Sequence, residues 1–68
     1  MKNTIRVERA KLNISQTELA VKVGVTKQTI HSVETGRFVP STVLAMKIAC
    51  FFKVRIEDIF ELEDSDWK

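Results

Sequence analysis

Lys27, Gln28, His31 and Ser32 occupy one side of a short segment whose Ile30 and Val33, three residues apart, give it an apolar side. On a helix those four polar side chains would face outward together. A glutamine amide offers a donor and an acceptor in one plane, and a lysine ammonium offers three donors. In the major groove of duplex DNA a glutamine can bond bidentately to adenine N6 and N7, and a lysine to guanine O6 and N7. Each such pairing is worth about 1–3 kcal/mol of discrimination. Reaction chemistry has far less to work with. There is no general acid/base pair, nucleophile triad or phosphate-cradling glycine loop, so catalysis is not expected. Cys50 is the only cysteine and His31 the only histidine, which excludes a disulfide or a Cys/His metal cluster, and the acidic C-terminal residues lack the spacing of a calcium loop. No metal or cofactor is expected, and Cys50 reads as a packed or half-exposed free thiol.

At 68 residues the chain has room for one unit, residues 1–68, and not for separate sensing and binding modules. A domain of this size buries only about 60% of the surface its unfolded chain exposes, so self-association is the natural source of extra stability. Apolar runs are short, and with no membrane span or signal-peptide core expected, the reading is of a cytoplasmic protein. The net charge of +2 conceals an asymmetry. Residues 1–40 carry seven Lys/Arg against three Asp/Glu, whereas residues 41–68 carry four against six. A basic front is what a phosphate backbone would select, although solvated lysines are common on any surface.

One proline and two glycines point to helices, and five can be placed from their start and stop signals. The first spans about Thr4 to Leu12 and stops at the Asn13 turn. Ser15-Gln16-Thr17-Glu18 is a capping box opening a second helix, whose Leu19, Ala20 and Val23 make one stripe before Gly24 ends it. Thr26 caps a third, stopped by Thr35-Gly36. Pro40-Ser41 starts a fourth over about Thr42 to Lys53, with Leu44, Ile48, Ala49 and Phe52 as its core face. Ile56 to Ile59 forms a short fifth turn of helix. Phe60 to Glu63 alternates like an edge strand, with helix and strand both open, and the acidic stretch 63–68 is expected to fray.

The block Gln16 to Thr35, QTELAVKVGVTKQTIHSVET, puts small and apolar residues where two crossing helices must touch: Ala20 at the crossing, Gly24 in the turn, and Leu19, Val23, Val25, Ile30 and Val33 in the wedge. With ISQTELA, VTKQTIHSVETGR and the leucine-containing helix after Pro40, this pattern resembles the helix-turn-helix of the Cro/phage-repressor-like (XRE-type) transcriptional regulators, over about residues 5 to 60. Within that family the chain looks like the short single-domain members that end just after an IEDIF-like segment. The resemblance implies a mainly α, five-helix repressor-like DNA-binding domain with its helix-turn-helix at 16–35. The N-terminal residues of the third helix would lie nearest the bases, which favours Lys27 and Gln28, with His31 and Ser32 one turn on. Gln16, at a helix start with free amide donors, suits a phosphate, and the resemblance adds Thr26, Thr29 and Arg37 as further backbone contacts. Thr26 reads equally well as a plain cap, and Arg37 as a plain surface charge. Arg9 and Glu34 match positions that pair as a salt bridge between the first and third helices.

Taken together, these readings describe a sequence-specific repressor of double-stranded DNA, acting as a homodimer on palindromic half-sites. Its dimerisation elements would lie at about 42–62, with Val43, Met46, Phe51, Phe60 and Leu62 as surplus apolar residues. The resemblance also implies a small two-stranded antiparallel sheet from the chain ends, here Lys2 to Thr4 and Phe60 to Leu62. No ligand-sensing domain fits in the chain, so regulation would come from outside it, for instance from an unidentified protein co-regulator. The competing class is a protein-interaction or antitoxin-like adaptor module with secondary DNA binding. The polar, basic face at Lys27, Gln28 and His31 argues against it, since a protein-docking face would expose Leu, Met or aromatic residues there.

Overall fold

Helix starts leave backbone amides without partners, and three of the helices meet that need with a hydroxyl. Ser15 Oγ accepts from the Glu18 amide at 3.0 Å, while the Glu18 carboxylate accepts from the Ser15 amide at 3.0 Å. Thr26 Oγ1 accepts from the Thr29 amide at 3.2 Å, and Ser41 Oγ from the Leu44 amide at 3.1 Å. The computed structural model describes residues 1–68 in the order β1 (Lys2–Asn3), α1 (Ile5–Leu12), α2 (Gln16–Val23), α3 (Lys27–Glu34), α4 (Thr42–Phe52), α5 (Ile56–Ile59) and β2 (Phe60–Glu61), closed by a 3-10 turn at Asp64–Trp67. Helices α1 and α5 have no hydroxyl cap, and at α1 a different side chain takes over. Thr4 makes no side-chain bond there; instead Asn3 Oδ1 accepts from the Ile5 amide at 3.2 Å, and its Nδ2 donates to the Val33 carbonyl at 2.8 Å. One asparagine thus starts α1 and ties it to the end of α3.

The apolar stripes meet in a single core. Ile5 of α1, Leu19 of α2, Ile30 of α3, Ile48 of α4 and Ile59 of α5 are at most 2% exposed. Helix α2 packs on both α3 and α4, and α4 also packs on α5, so α4 links the helix-turn-helix to the chain ends. Those ends pair as the small sheet. β1 and β2 run antiparallel with Lys2 opposite Glu61 and Asn3 opposite Phe60, all within one chain.

Four expectations are corrected. Helix α4 stops at Phe52, because Lys53 takes a left-handed conformation (φ 58°) and its amide bonds back to the Ala49 and Cys50 carbonyls. Phe60 is part of the core, at 8% exposure, because strand alternation turns it inward and Glu61 outward, which leaves little of it to meet a partner chain. Cys50 is exposed and not packed. The stretch 63–68 does not fray: the Glu63 amide donates to Asp66 Oδ2 at 2.7 Å, and the Met1 amine lies 2.9 Å from Glu63 Oε1 and 3.2 Å from Asp66 Oδ2. Because the Glu63 side chain hydrogen-bonds that amine, its pKa is raised above the ordinary 8.0, and the Glu63 amide in turn holds the Asp66 carboxyl below its usual range. Neither interaction can be read from a run of acidic residues alone.

Candidate nucleic-acid interface

Helices α2 and α3 are joined by Gly24, Val25 and Thr26. The turn is possible because Gly24 adopts φ 77°, and the Val25 amide returns to the Ala20 carbonyl at 3.0 Å. A Cβ at Gly24 would meet nothing within 4 Å, so the glycine answers to backbone conformation and not to crowding. Ala20, Val23, Ile30 and Val33 are buried between the helices and the rest of the core. What remains of α3 is its outer side, where Lys27, Gln28 and His31 are exposed and Thr29 and Ser32 are half-buried. Arg37 is exposed beyond the end of α3, and neither Lys27 nor Arg37 is engaged in an ion pair.

Behind this face lies a half-buried polar cluster. Arg9 clamps Glu34 with Nε 2.6 Å from Oε2 and Nη2 3.1 Å from Oε1, and a third donor, Nη1, reaches the Ile14 carbonyl at 3.0 Å. The Glu34 side chain is 1% exposed, and its hydrogen bond holds the Arg9 guanidinium above its ordinary pKa. The salt bridge between the first and third helices is therefore present, and bidentate. Arg6 adds a longer contact, its Nε 3.9 Å from Glu34 Oε1.

Gln16 also joins this cluster, a contact that its place in the sequence does not reveal. Its Nε2 lies 3.2 Å from Glu34 Oε1 and 3.4 Å from His31 Nδ1, so a residue expected at a phosphate and one expected at a base are in contact. Thr26 and Thr29 also meet, with hydroxyls 3.0 Å apart, and Thr26 is a cap whatever else it does. Lys27 and Gln28 stand free at the start of α3. The connection through Gln16 leaves no trace in the sequence, because its partners are 15 and 18 residues away on another helix.

Two helices joined by a glycine turn, the first seated on the core and the second offering a polar outer face, define a helix-turn-helix domain. A family model described as helix-turn-helix matches residues 5–59. The chain is 52% identical over 66 residues to an uncharacterised HTH-type transcriptional regulator of Methanocaldococcus jannaschii, covering 97% of this chain and 100% of that protein. It is 44% identical to one of Bacillus subtilis with the same coverage, and 48% identical to one of Archaeoglobus fulgidus, 94% of which is covered. The chain belongs to the Cro/phage-repressor-like helix-turn-helix family of DNA-binding transcriptional regulators. No helix is long and apolar enough to cross a membrane.

Proposed function

We propose that this regulator is a sequence-specific repressor that binds its operator as a homodimer, with α3 of each protomer in the major groove of one half-site. Lys27 and Gln28 read base edges, joined by His31 and Ser32. Gln16, Thr26, Thr29 and Arg37 hold the flanking phosphates, helped by the free amides at the starts of α2 and α3. The observation that carries this reading is the division of α3: Ile30 and Val33 are closed into the core, while Lys27, Gln28 and His31 are exposed and none of them forms an ion pair. A face built for protein docking would be apolar there.

Dimerisation is supported by the apolar residues left outside the core. Val39, Val43, Met46, Ile56 and Leu62 are each 40% exposed or more. Met1, Val39, Pro40, Ile56, Phe60 and Leu62 line a shallow groove beside the chain ends, and Val43 and Met46 share one side of α4. A two-fold pair formed there would read half-sites about 34 Å apart on one face of the duplex.

The test is selection of binding sites from randomised duplexes, followed by gel-shift titration. Gln28→Ala and Lys27→Ala should each lower affinity for the selected site about 5- to 100-fold and relax the preference at one base pair. Arg37→Ala should weaken all DNA alike and flatten the salt dependence by about one unit. Wild-type binding without sequence preference would end the base-reading model. A reporter placed behind the selected site should be silenced when the protein is expressed; an increase would make it an activator.

A further inference from the structure

The contact between Gln16, His31 and Glu34 has a direction that chemistry alone can assign. A carboxylate only accepts hydrogen bonds, so the Gln16 atom 3.2 Å from Glu34 Oε1 must be the NH2 nitrogen and not the carbonyl oxygen. Glu34 cannot turn away to accept a different arrangement. Both of its oxygens are already committed to Arg9, it is 1% exposed, and Arg6 lies at 3.9 Å on the same side. The orientation of the Gln16 amide is therefore dictated from behind. Its second N–H is then the one nearest His31 Nδ1, at 3.4 Å. A ring nitrogen facing a donor must carry the lone pair, and in a neutral imidazole the proton then sits on the other nitrogen.

Resting on the proposal that α3 reads bases, we infer that Glu34, acting through Gln16, fixes the hydrogen-bonding polarity of His31, so that the recognition helix presents an imidazole Nε2–H donor to DNA. Glu34 is thus a positioning residue for readout as well as half of a structural salt bridge. An outward donor seeks acceptors in the major groove, which are guanine O6 and N7, adenine N7 and thymine O4, and it rejects the amino groups of cytosine and adenine. Gln16 accordingly acts on specificity as well as on the backbone. A glutamine serving only as a phosphate clamp would lower affinity for every sequence equally. The charged groups around the pair are Glu34 on α3 and Arg6 and Arg9 on α1.

Two measurements test this separately from the base-reading proposal. The first needs no DNA: imidazole nitrogen NMR on the free protein above pH 8. His31 should show a single tautomer, with an unprotonated Nδ1 and a protonated Nε2, and Gln16→Ala should shift both nitrogens toward an exchange average. A protonated Nδ1, or an averaged wild-type ring, would overturn the inference even if DNA binding is as proposed. The second is site selection with variants. Gln16→Ala should relax the preference at the same base pair that His31→Ala relaxes, with a loss on the selected site of up to about tenfold. The double variant should relax it no further. If Gln16→Ala weakens all sites alike and leaves every base preference intact, Gln16 is a clamp only and the inference falls. Gln16→Ala leaves the Arg9–Glu34 clamp in place, so the comparison is made on folded protein.

Discussion

Glu34 illustrates how much one buried side chain can carry. Its Oε2 accepts from Arg9 Nε and its Oε1 accepts from both Arg9 Nη2 and Gln16 Nε2, and no buried side-chain polar atom in the protein lacks a partner. Truncation would leave the Arg9 guanidinium, 15% exposed, facing a cavity where its counter-charge had been. Glu34→Ala should therefore cost about 3 kcal/mol of stability in urea unfolding, whereas Glu34→Gln should cost less because the amide oxygen still accepts one bond. A loss below about 1 kcal/mol for Glu34→Ala would mean that the pair is solvated like an ordinary surface bridge. The Arg9–Glu34 pairing could be anticipated from sequence because the residue types and the family pattern both suggest it. The roles of Asn3 and Gln16 could not, because a neutral amide fits many surroundings, and only the fold brings Asn3 to the Val33 carbonyl and Gln16 to His31.

Among the elements, helix ends separate what local chemistry dictates from what it leaves open. Ser15, Thr26 and Ser41 are caps, as their types and positions suggest, and Gly24 supplies the positive φ that ends α2. Lys53 supplies the same geometry at the end of α4 without being glycine, with φ 58°, exposed and without an ion pair. An L-residue pays roughly 1–2 kcal/mol for the left-handed region. Lys53→Gly should therefore stabilise the domain by up to about 1 kcal/mol, after the greater freedom of glycine in the unfolded chain is subtracted. Gly24→Ala should destabilise it by about 1 kcal/mol, since the methyl would meet empty space and the cost is conformational. In a domain of this size each kcal/mol moves Tm by about 4–8 °C, so the two variants should shift thermal melts in opposite directions. Shifts of the same sign would show that the turn geometries are not what limits these ends.

For the whole molecule, the two chain ends close the fold together. β1 pairs with β2, and the Met1 amine is held by Glu63 and Asp66. The amine has a raised pKa, so its contribution is fully present below about pH 8 and is lost as pH rises through that raised value. Asp66 has a lowered pKa, so its contribution is present above the usual carboxylate range and is lost as pH falls through the lowered value. The Glu63 amide, bonded to Asp66, should accordingly keep a constant chemical shift across neutral pH and move at both extremes; a shift drifting through pH 5–7 would contradict this docking. Beside this region lies the apolar surface on which the proposed dimer would form. If the chain pairs as proposed, Met46→Glu should make it a monomer in sedimentation velocity and weaken binding to paired half-sites much more than to a single one. Sedimentation as a monomer by the wild-type chain at micromolar concentration would remove the dimer from the proposal.

By itself the sequence determined the helical character, the approximate extents of the five helices, the caps of α2, α3 and α4, the inner and outer sides of α3, and the short list of polar residues at its surface. All of these depend on neighbours within about four positions along the chain, through capping, helical periodicity and turn chemistry. Tertiary structure alone decided the rest. It turned Phe60 into the core, folded the acidic end onto the Met1 amine, and set Gln16 between Glu34 and His31. Those contacts join residues 15 to 65 positions apart, and polar side chains of the same types would be equally content in water. Only the packing of the helices chooses among their possible partners.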